Sequence, residues 1–415
     1  MHNNPYQPFD LTQRTVFGLL AQTLFDVPYT PEPGVNWEAV YQESENQAVR
    51  MQTFAKYHLI PDFPQEIRER IQPYMSTFML RNVRIHAGHT LVHELLTQNG
   101  ISYTVLKGAA SAFYYPDPLT RAMGDVDFIV DGKDVPQVAA LFCEQGYNVE
   151  KYIEDSGKYH LAICKGKLHM ELHYRLPGIP EGAVGDVIRG YLSDLEASAT
   201  LVKGKLATCR HPSAFHHGLI MLMHFQRHLV YEGIGLRHLC DWAVFVRCHS
   251  PEEFQALFRD RLSAIGMWRF ARLLSLAASL YIGLPEQSWM REEPDDESIA
   301  HALMQDIVGG GNFGRKNRQR AYEAKFLSQN DGTSRKHNRI AEAVRSVNRN
   351  SRERWPIMRR VPLLLPWGWI HAVVRYLLNN KKRRKAGREI DLGQAYKSSE
   401  TRQKLYETLR MYEPS

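Results

Sequence analysis

The chain has 415 residues, of which 44% are hydrophobic and 23% charged, and its formal net charge is +7. Such a composition is typical of a globular protein with two or three domains. The five cysteines have no CxxC spacing, which argues against a disulfide framework and a structural zinc site. The first residues lack the pattern of a secretory signal, and no apolar stretch of about 20 residues predicts a transmembrane helix. We therefore expect a cytoplasmic protein, with attachment to the inner face of the membrane as an alternative.

Residues 1–100 are predicted to form an N-terminal helical region. From Phe63 to Gln98 the apolar residues recur at helical spacing. Asn99-Gly100 follows this segment, and glycine is the usual residue just beyond the end of a helix. The sequence therefore predicts one long helix that ends at this pair.

Short apolar runs replace the helical spacing in residues 101–178, the predicted catalytic core. Helices are predicted at 109–115 and 135–145, and strands at 101–106, 126–130, 147–153, 159–164 and 168–174. Only short polar turns separate the last three strands, so we expect them to pair antiparallel. The fold class predicted from this pattern is α+β, with a small mixed sheet and helices on one face.

Two further regions follow the predicted core. Residues 179–314 are expected to form a helical domain, with the clearest helical periodicity at 215–229 and 270–282. Residues 315–415 are expected to be basic and mostly helical, with a loop at 330–332. Within 315–391 there are about twenty lysines and arginines against about six acids. The positive charge of the protein is therefore concentrated here, and an anionic partner such as RNA or a membrane surface would bind this region.

Two aspartates alternate with apolar residues in Gly124-Asp125-Val126-Asp127. The period of a strand places Asp125 and Asp127 on one face, where their like charges repel unless a cation lies between them. Glu171 lies in a similar apolar strand context in His169-Met170-Glu171-Leu172-His173. If the two strands are neighbours, the three carboxylates converge on Mg²⁺ or Mn²⁺, ions that prefer oxygen ligands. The alternative is that the paired aspartates are only a solvated strand end.

A glycine turn precedes the paired aspartates. Lys107-Gly108 joins a predicted strand to a predicted helix, and backbone N–H groups at a helix start bind phosphate. Gly108 would let a phosphate approach the backbone closely.

This order of elements resembles the DNA polymerase beta nucleotidyltransferase superfamily and, within it, the bacterial uncharacterised nucleotidyltransferase family. The similarity spans roughly residues 65–315. It is carried by Leu106-Lys107-Gly108, Tyr115-Pro116, Arg121, Gly124-Asp125-Val126-Asp127, Met170-Glu171-Leu172-His173-Tyr174-Arg175, Arg237-His238-Leu239-Cys240-Asp241-Trp242 and Gly311-Asn312-Phe313-Gly314.

The resemblance implies a role for each residue of the site. Asp125 and Asp127 would bind the metal ions that hold a nucleoside triphosphate, and Glu171 would complete the metal site and activate the acceptor. Gly108 would lie against the phosphates, and Lys107 and Arg121 would neutralise their charge.

The sequence departs from the superfamily at one position of the turn. Ala109 stands where the superfamily usually has a serine that contacts a phosphate. Phosphate binding would then depend on backbone groups, on Lys107, on Arg121 or on Ser111.

Two residues of the predicted helical domain are further candidates for the nucleotide or acceptor site. His224 and His228 share a helix face at i, i+4 spacing, but the HExxH pattern is missing, so a polar cluster near the cleft is favoured over zinc. Arg237 either faces the nucleotide or forms an intrahelical ion pair with Asp241, four residues further on.

A tryptophan-bearing apolar segment, residues 361–370, precedes the basic run Lys381-Lys382-Arg383-Arg384-Lys385. We expect its aromatics to pack on the helical domain while the basic run is solvated. The alternatives are a helix lying in a membrane interface and a contact with an RNA backbone.

The sequence thus predicts an Mg²⁺-dependent nucleotidyltransferase that moves a nucleoside monophosphate group from an NTP to an acceptor hydroxyl, with the site in a cleft between the sheet and the helical domain. The acceptor is a small molecule, a glycan, a protein or RNA. The alternative is a non-catalytic nucleotide-binding protein, or a membrane-peripheral scaffold, that keeps the fold.

Overall fold

The computed structural model describes residues 9–152, 158–317, 319–324, 327, 344–345, 347–348, 351–352, 354–355, 357–385 and 392–414. The predicted loop at 330–332 and the predicted strand end at 153 lie outside the described residues, as does a large part of the basic stretch between 325 and 356.

The N-terminal region is helical, as predicted. Its helices are α1 (Leu11–Phe25), α2 (Trp37–Asn46), α3 (Arg50–Phe54) and α4 (Gln65–Gln98). Asp10 caps α1, because its side chain accepts from the backbone N–H of Gln13 while the Gln13 side chain accepts from the N–H of Asp10. The long helix α4 ends at Gln98 with Asn99 as its C-cap, and Gly100 follows with φ +69°. The predicted stop at this pair is confirmed.

A five-stranded mixed sheet follows within the described residues. Its strands are β1 (Thr104–Val105), β2 (Val126–Ile129), β3 (Asn148–Val149), β4 (His160–Lys165) and β5 (Leu168–His173), and their order is β1-β2-β5-β4-β3. β2 and β5 are parallel and the other pairs antiparallel, which confirms the predicted pairing of the last three strands. The helices α5 (Gly108–Ala112) and α6 (Val135–Glu144) lie between strands in the chain. The predicted α+β class is confirmed, although β1 and β3 are shorter than expected.

A second small sheet corrects the expectation that strands end after the core. The hairpin of β6 (Thr200–Lys203) and β7 (Thr208–His211) lies in the region predicted as helical, and β7 packs against α4 and β1. The sequence signal is weak because β6 is almost entirely exposed and has no apolar alternation.

The rest of this region is helical, as predicted. Its helices are α7 (Ala183–Tyr191), α8 (Ala214–Tyr231), α9 (Leu236–Arg247), α10 (Pro251–Ala264), α11 (Trp268–Ile282) and α12 (Asp296–Gly310). The described parts of the C-terminal region contain α13 (Arg320–Glu323), α14 (Ile357–Arg360), α15 (Leu365–Lys385) and α16 (Leu392–Leu409). Among the described helices, none has the length and apolarity needed to cross a membrane.

Two large apolar cores position the site. One lies around the sheet and includes Val92 and Leu96 of α4, and the other joins the N-terminal helices to the helices after residue 213. Ile67 and Ile71, at the other end of α4, belong to this second core. The helix α4 therefore connects the two cores and holds the sheet in place relative to the helices.

Candidate active site

The three predicted carboxylates meet on the sheet. Asp127 in β2 and Glu171 in β5 are direct register partners of a parallel pair, and Asp125 immediately precedes β2. One oxygen from each of the three side chains lies within 4.8 Å of the others. The convergence predicted from strand periodicity is therefore present, and it brings three negative groups into a space the size of a metal site.

The electrostatics of this cluster show the cost of bringing the acids together. Burial, followed by the charges of Asp127 and Glu171, raises the pKa of Asp125 to about 6. Burial also acts to raise the pKa of Asp127, but Lys107 and His173 outweigh it and hold that pKa below its ordinary value. The cluster therefore stays charged at Asp127 but ionises with difficulty at Asp125.

His173 is a residue of the site that sequence reasoning missed. Its Nε2 lies 3.1 Å from Asp127 Oδ1 and 3.2 Å from Glu171 Oε2. Burial opposes the imidazolium, yet hydrogen bonds to the two carboxylates raise the pKa of His173. The signal was available, because Glu171 and His173 are two apart in one strand and so share its face. When it is protonated, an imidazole between two acids partly neutralises their charge.

The donor atoms fit a divalent metal ion. Asp125, Asp127 and Glu171 form an all-oxygen group, which suits Mg²⁺ or Mn²⁺. His160, Glu171 and His173 form an overlapping group with two nitrogens. The two groups share Glu171, but only the first includes Asp125, whose raised pKa a bound cation would lower. The oxygen group is therefore the better candidate.

The turn before α5 carries its backbone strain at Lys107. This residue has φ +45° and ψ −114°, which side chains larger than glycine rarely adopt. Gly108 does not have a positive φ, and a Cβ added there would meet Asp125 O and His89 Nε2 at an ordinary 3.7 Å. The strained turn brings Lys107 Nζ to 3.6 Å from Asp127 Oδ1. The unusual conformation therefore aims a cation at the acidic cluster.

Two small residues of α5 point into the protein. Ala109 is buried in the apolar core around the sheet. Ser111 is also buried, with its Oγ 3.4 Å from His217 Nε2, although it borders the cavity described below. The Ser111 hydroxyl is thus directed toward a histidine of α8.

Arg121 forms a buried, two-pronged ion pair that the sequence did not predict. Its Nε and Nη2 donate to Asp241 Oδ1 and Oδ2 at 2.9 and 2.8 Å, and the Tyr115 hydroxyl donates to the same carboxylate at 2.8 Å. The alternative pair between Arg237 and Asp241 does not form in the structure. The guanidinium of Arg121 is therefore already paired with a carboxylate 120 residues away in the sequence. That carboxylate competes with the phosphate contact predicted for Arg121.

Arg237 and His224 line the opposite wall, on α9 and α8. Among the described residues no carboxylate forms an ion pair with Arg237, its Nε has no hydrogen-bond partner, and its guanidinium lies 5.3 Å from the Phe313 ring centre. Burial lowers the pKa of Arg237. Burial, and then Lys107, place the pKa of His224 well below its ordinary value, so this imidazole is neutral. The three-ligand groups found among the described residues include neither His224 nor His228.

A cavity of about 410 Å³ joins these walls. On one side of it lie the acids of the sheet and the turn that carries Lys107, and on the other side lie the helices α8 and α9. Phe313 lies on its border with 41% of its surface exposed, and Tyr159 and Arg227 complete it. The sequence singled out Phe313 only as part of the family resemblance. The cavity lies in the predicted position, between the sheet and the helical region.

Residues 33–283 match the family described as "Uncharacterised nucleotidyltransferase". The chain belongs to this family. None of the curated proteins matches it. Among solved structures, the chain is similar to the crystal structure of ANT(2")-Ia in complex with adenylyl-2"-tobramycin, with 14% identity and a TM-score of 0.29 over 43% of this chain and 98% of that one. A solution structure of the antibiotic-resistance factor ANT(2'')-Ia gives 15% identity and a TM-score of 0.30, over 43% and 95% of the two chains.

Proposed function

We propose that this family member is an Mg²⁺-dependent nucleotidyltransferase that moves a nucleoside monophosphate group from an NTP to an acceptor hydroxyl. The observation that supports this most is the register pairing of Asp127 with Glu171, which together with Asp125 makes a three-carboxylate group at the floor of a cavity. A bound cation would stabilise three acids that repel one another beside an open cavity, and that cation would in turn attract an anionic substrate.

Asp125, Asp127 and Glu171 would hold Mg²⁺ or Mn²⁺, which when bound would neutralise charge on the triphosphate. The acceptor oxygen attacks the α-phosphorus, an O–P bond forms, and the bond from the α-phosphorus to the bridging oxygen breaks as pyrophosphate leaves. Glu171 is the residue we assign to take the acceptor proton, because its side chain is 31% exposed while that of Asp127 is 6% exposed.

Two cations on opposite walls are assigned to the phosphates. Lys107 reaches in from the strained turn, and Arg237 reaches in from α9, where its Nε has no hydrogen-bond partner in the described part of the chain. Gly108 keeps the backbone of the turn free of a side chain, so a phosphate can approach it. With charges on both sides, the triphosphate would be held across the cavity and its α-phosphorus kept near the acids.

The remaining predicted residues are assigned supporting places. Arg121 would act through its ion pair with Asp241, fixing the segment before Asp125 against α9. Ser111 would act through His217, and neutral His224 would line the cavity. The exposed ring of Phe313 offers a flat apolar surface for the base or the acceptor.

A transfer assay tests the proposal. The protein is incubated with Mg²⁺, each of the four NTPs labelled at the α-phosphate, and acceptors from four classes: small polyhydroxylated molecules, glycans, proteins and RNA. We expect label in one class with equimolar release of pyrophosphate, and its loss in Glu171→Gln. Asp131→Asn is the matched control, since this acid lies just beyond the other end of β2 and pairs with Lys133 at the surface. NTP binding without transfer to any class would instead support the non-catalytic nucleotide-binding protein.

A further inference from the structure

The helix α15 has an apolar face that none of the described residues covers. Six apolar side chains on it are between 48% and 65% exposed. At 100° per residue they fall within an arc of about 140°. This apolar stripe consists of Trp367, Ile370, Val373, Val374, Leu377 and Leu378. The aromatics of 361–370 were expected to pack on the helical region, but Trp367 and Trp369 are 65% and 43% exposed, so that expectation is wrong.

The other side of α15 is attached to the protein. Trp369 Nε1 donates to Asn348 Oδ1 at 2.7 Å, and the His371 ring lies 4.7 Å from that of Trp355. Gly368 is buried against Ser351 and Met358, where a Cβ would clash with the serine. Tyr376 lies 6.3 Å from Tyr322. The helix is thus held by one face, which leaves the apolar stripe turned outward.

Charge identifies what would cover the stripe. Residues 354–388 contain ten lysines and arginines and no acid, and the helix continues directly from the stripe into Lys381-Lys382-Arg383-Arg384-Lys385. A second copy of this face would bring two such basic segments into one interface, at a cost in repulsion. RNA would use the basic residues but would leave the aliphatic ones in water. A bilayer with anionic headgroups satisfies both the stripe and the basic run.

We propose that α15 is a monotopic membrane anchor that lies in the interface of an anionic bilayer, with the aliphatic residues of the apolar stripe below the headgroups. From Trp367 to Leu378 the stripe is about 16 Å long. Trp367 would lie at the headgroup level, where tryptophan is favoured. The membrane proposal does not depend on the nucleotidyltransferase proposal, since α15 contributes no residue to the cavity.

Vesicle flotation of the full chain tests this. We expect the protein to float with phosphatidylglycerol–phosphatidylcholine vesicles and not with pure phosphatidylcholine. The triple variant Ile370→Gln, Val374→Gln, Leu377→Gln should lower the bound fraction by about tenfold or more. The matched control is Leu59→Gln, Leu80→Gln, Val83→Gln, three apolar residues of similar exposure elsewhere, which should float as the wild type does. Lys381→Gln, Lys382→Gln, Lys385→Gln should weaken binding and its dependence on salt.

Fluorescence locates the contact. A blue shift of the tryptophan emission on adding anionic vesicles, which Trp367→Phe diminishes, would place Trp367 in the interface. Equal flotation of the stripe and control variants, or no binding of the wild type, would overturn the proposal. A wild-type dimer that the stripe variant converts to monomer, without vesicle binding, would identify a self-interface instead. RNA binding lost only in the charge variant, again without vesicle binding, would also overturn it.

Discussion

Asp127 and Glu171 stand side by side in register on the parallel strands β2 and β5, and His173 bridges them from two residues further along β5. This pairing is what turns two separate sequence motifs into one site. Because neighbouring strands lie about 4.8 Å apart, two acids in register cannot avoid each other unless their side chains diverge. Their carboxylates instead converge, with Asp125 as the third member.

The three acids should separate binding from chemistry when they are changed one at a time. In Glu171→Gln we expect NTP to bind within a few-fold of the wild type, because Asp125, Asp127 and Lys107 are intact. Its transfer rate should fall by about 10²–10⁴, the usual contribution of a general base. Asp127→Asn should lose both NTP binding and transfer, since the Asp127 carboxylate also contacts Lys107 and His173. Calorimetry and single-turnover transfer measure the two effects, and near-normal transfer by either variant would show that the three-acid site is wrong.

Asp125 should make the metal-free protein sensitive to pH. Its pKa is about 6 in the folded protein and 3.8 as the ordinary value, so the folded state binds the proton more tightly. The stability that this provides is complete below about pH 4 and is lost as pH rises through about 6. Asp125→Asn should therefore raise the free energy of unfolding at pH 8 by about 1–2 kcal/mol, with little gain at pH 4.

Denaturant unfolding in EDTA at the two pH values measures the effect of Asp125. Asp131→Asn, on an exposed acid, is the control and should show no such pH-dependent gain. Adding Mg²⁺ should stabilise the wild type and not Asp125→Asn. If Asp125→Asn is less stable than the wild type at pH 8, the raised pKa assigned to Asp125 is wrong.

Arg237 should affect the nucleotide more than the fold. Removing a cation whose Nε has no partner within the described chain leaves no carboxylate unpaired, so Arg237→Gln should change the melting temperature little. Its KM for NTP should rise by about tenfold, the loss of one charge-assisted contact. Arg247→Gln, an exposed residue in the last turn of the same helix, is the matched control for helix and charge. If both variants leave KM unchanged, Arg237 does not contact the nucleotide.

Arg121 and Asp241 should behave as a buried pair. Asp241→Ala strands the guanidinium of Arg121, so we expect a loss of about 3–5 kcal/mol. The double variant Arg121→Met, Asp241→Leu removes both charges and should cost less than the single change. Chemical denaturation of the single and double variants gives the coupling energy. Additive effects would mean that the two residues do not act as a pair, and that Arg121 is free for a phosphate after all.

The sequence predicted what depends on local periodicity. Alternation placed Asp125 and Asp127 on one face, and glycine placed the end of α4. It could not reveal the partner of Arg121, because that ion pair spans 120 residues and depends on how α9 packs against the sheet. The strain at Lys107 was also hidden, since the adjacent Gly108 is the residue that usually takes a positive φ. The hairpin β6–β7 was missed because its exposed strand carries no apolar pattern.

Calorimetry shows whether the acidic cluster binds a metal–nucleotide complex. Wild type and the double variant Asp125→Asn, Asp127→Asn are titrated with each of the four NTPs, with and without Mg²⁺. We expect saturable binding of at least one NTP by the wild type that requires Mg²⁺ and that the double variant loses. Binding by the double variant at wild-type affinity, or the same affinity with and without Mg²⁺, would contradict it.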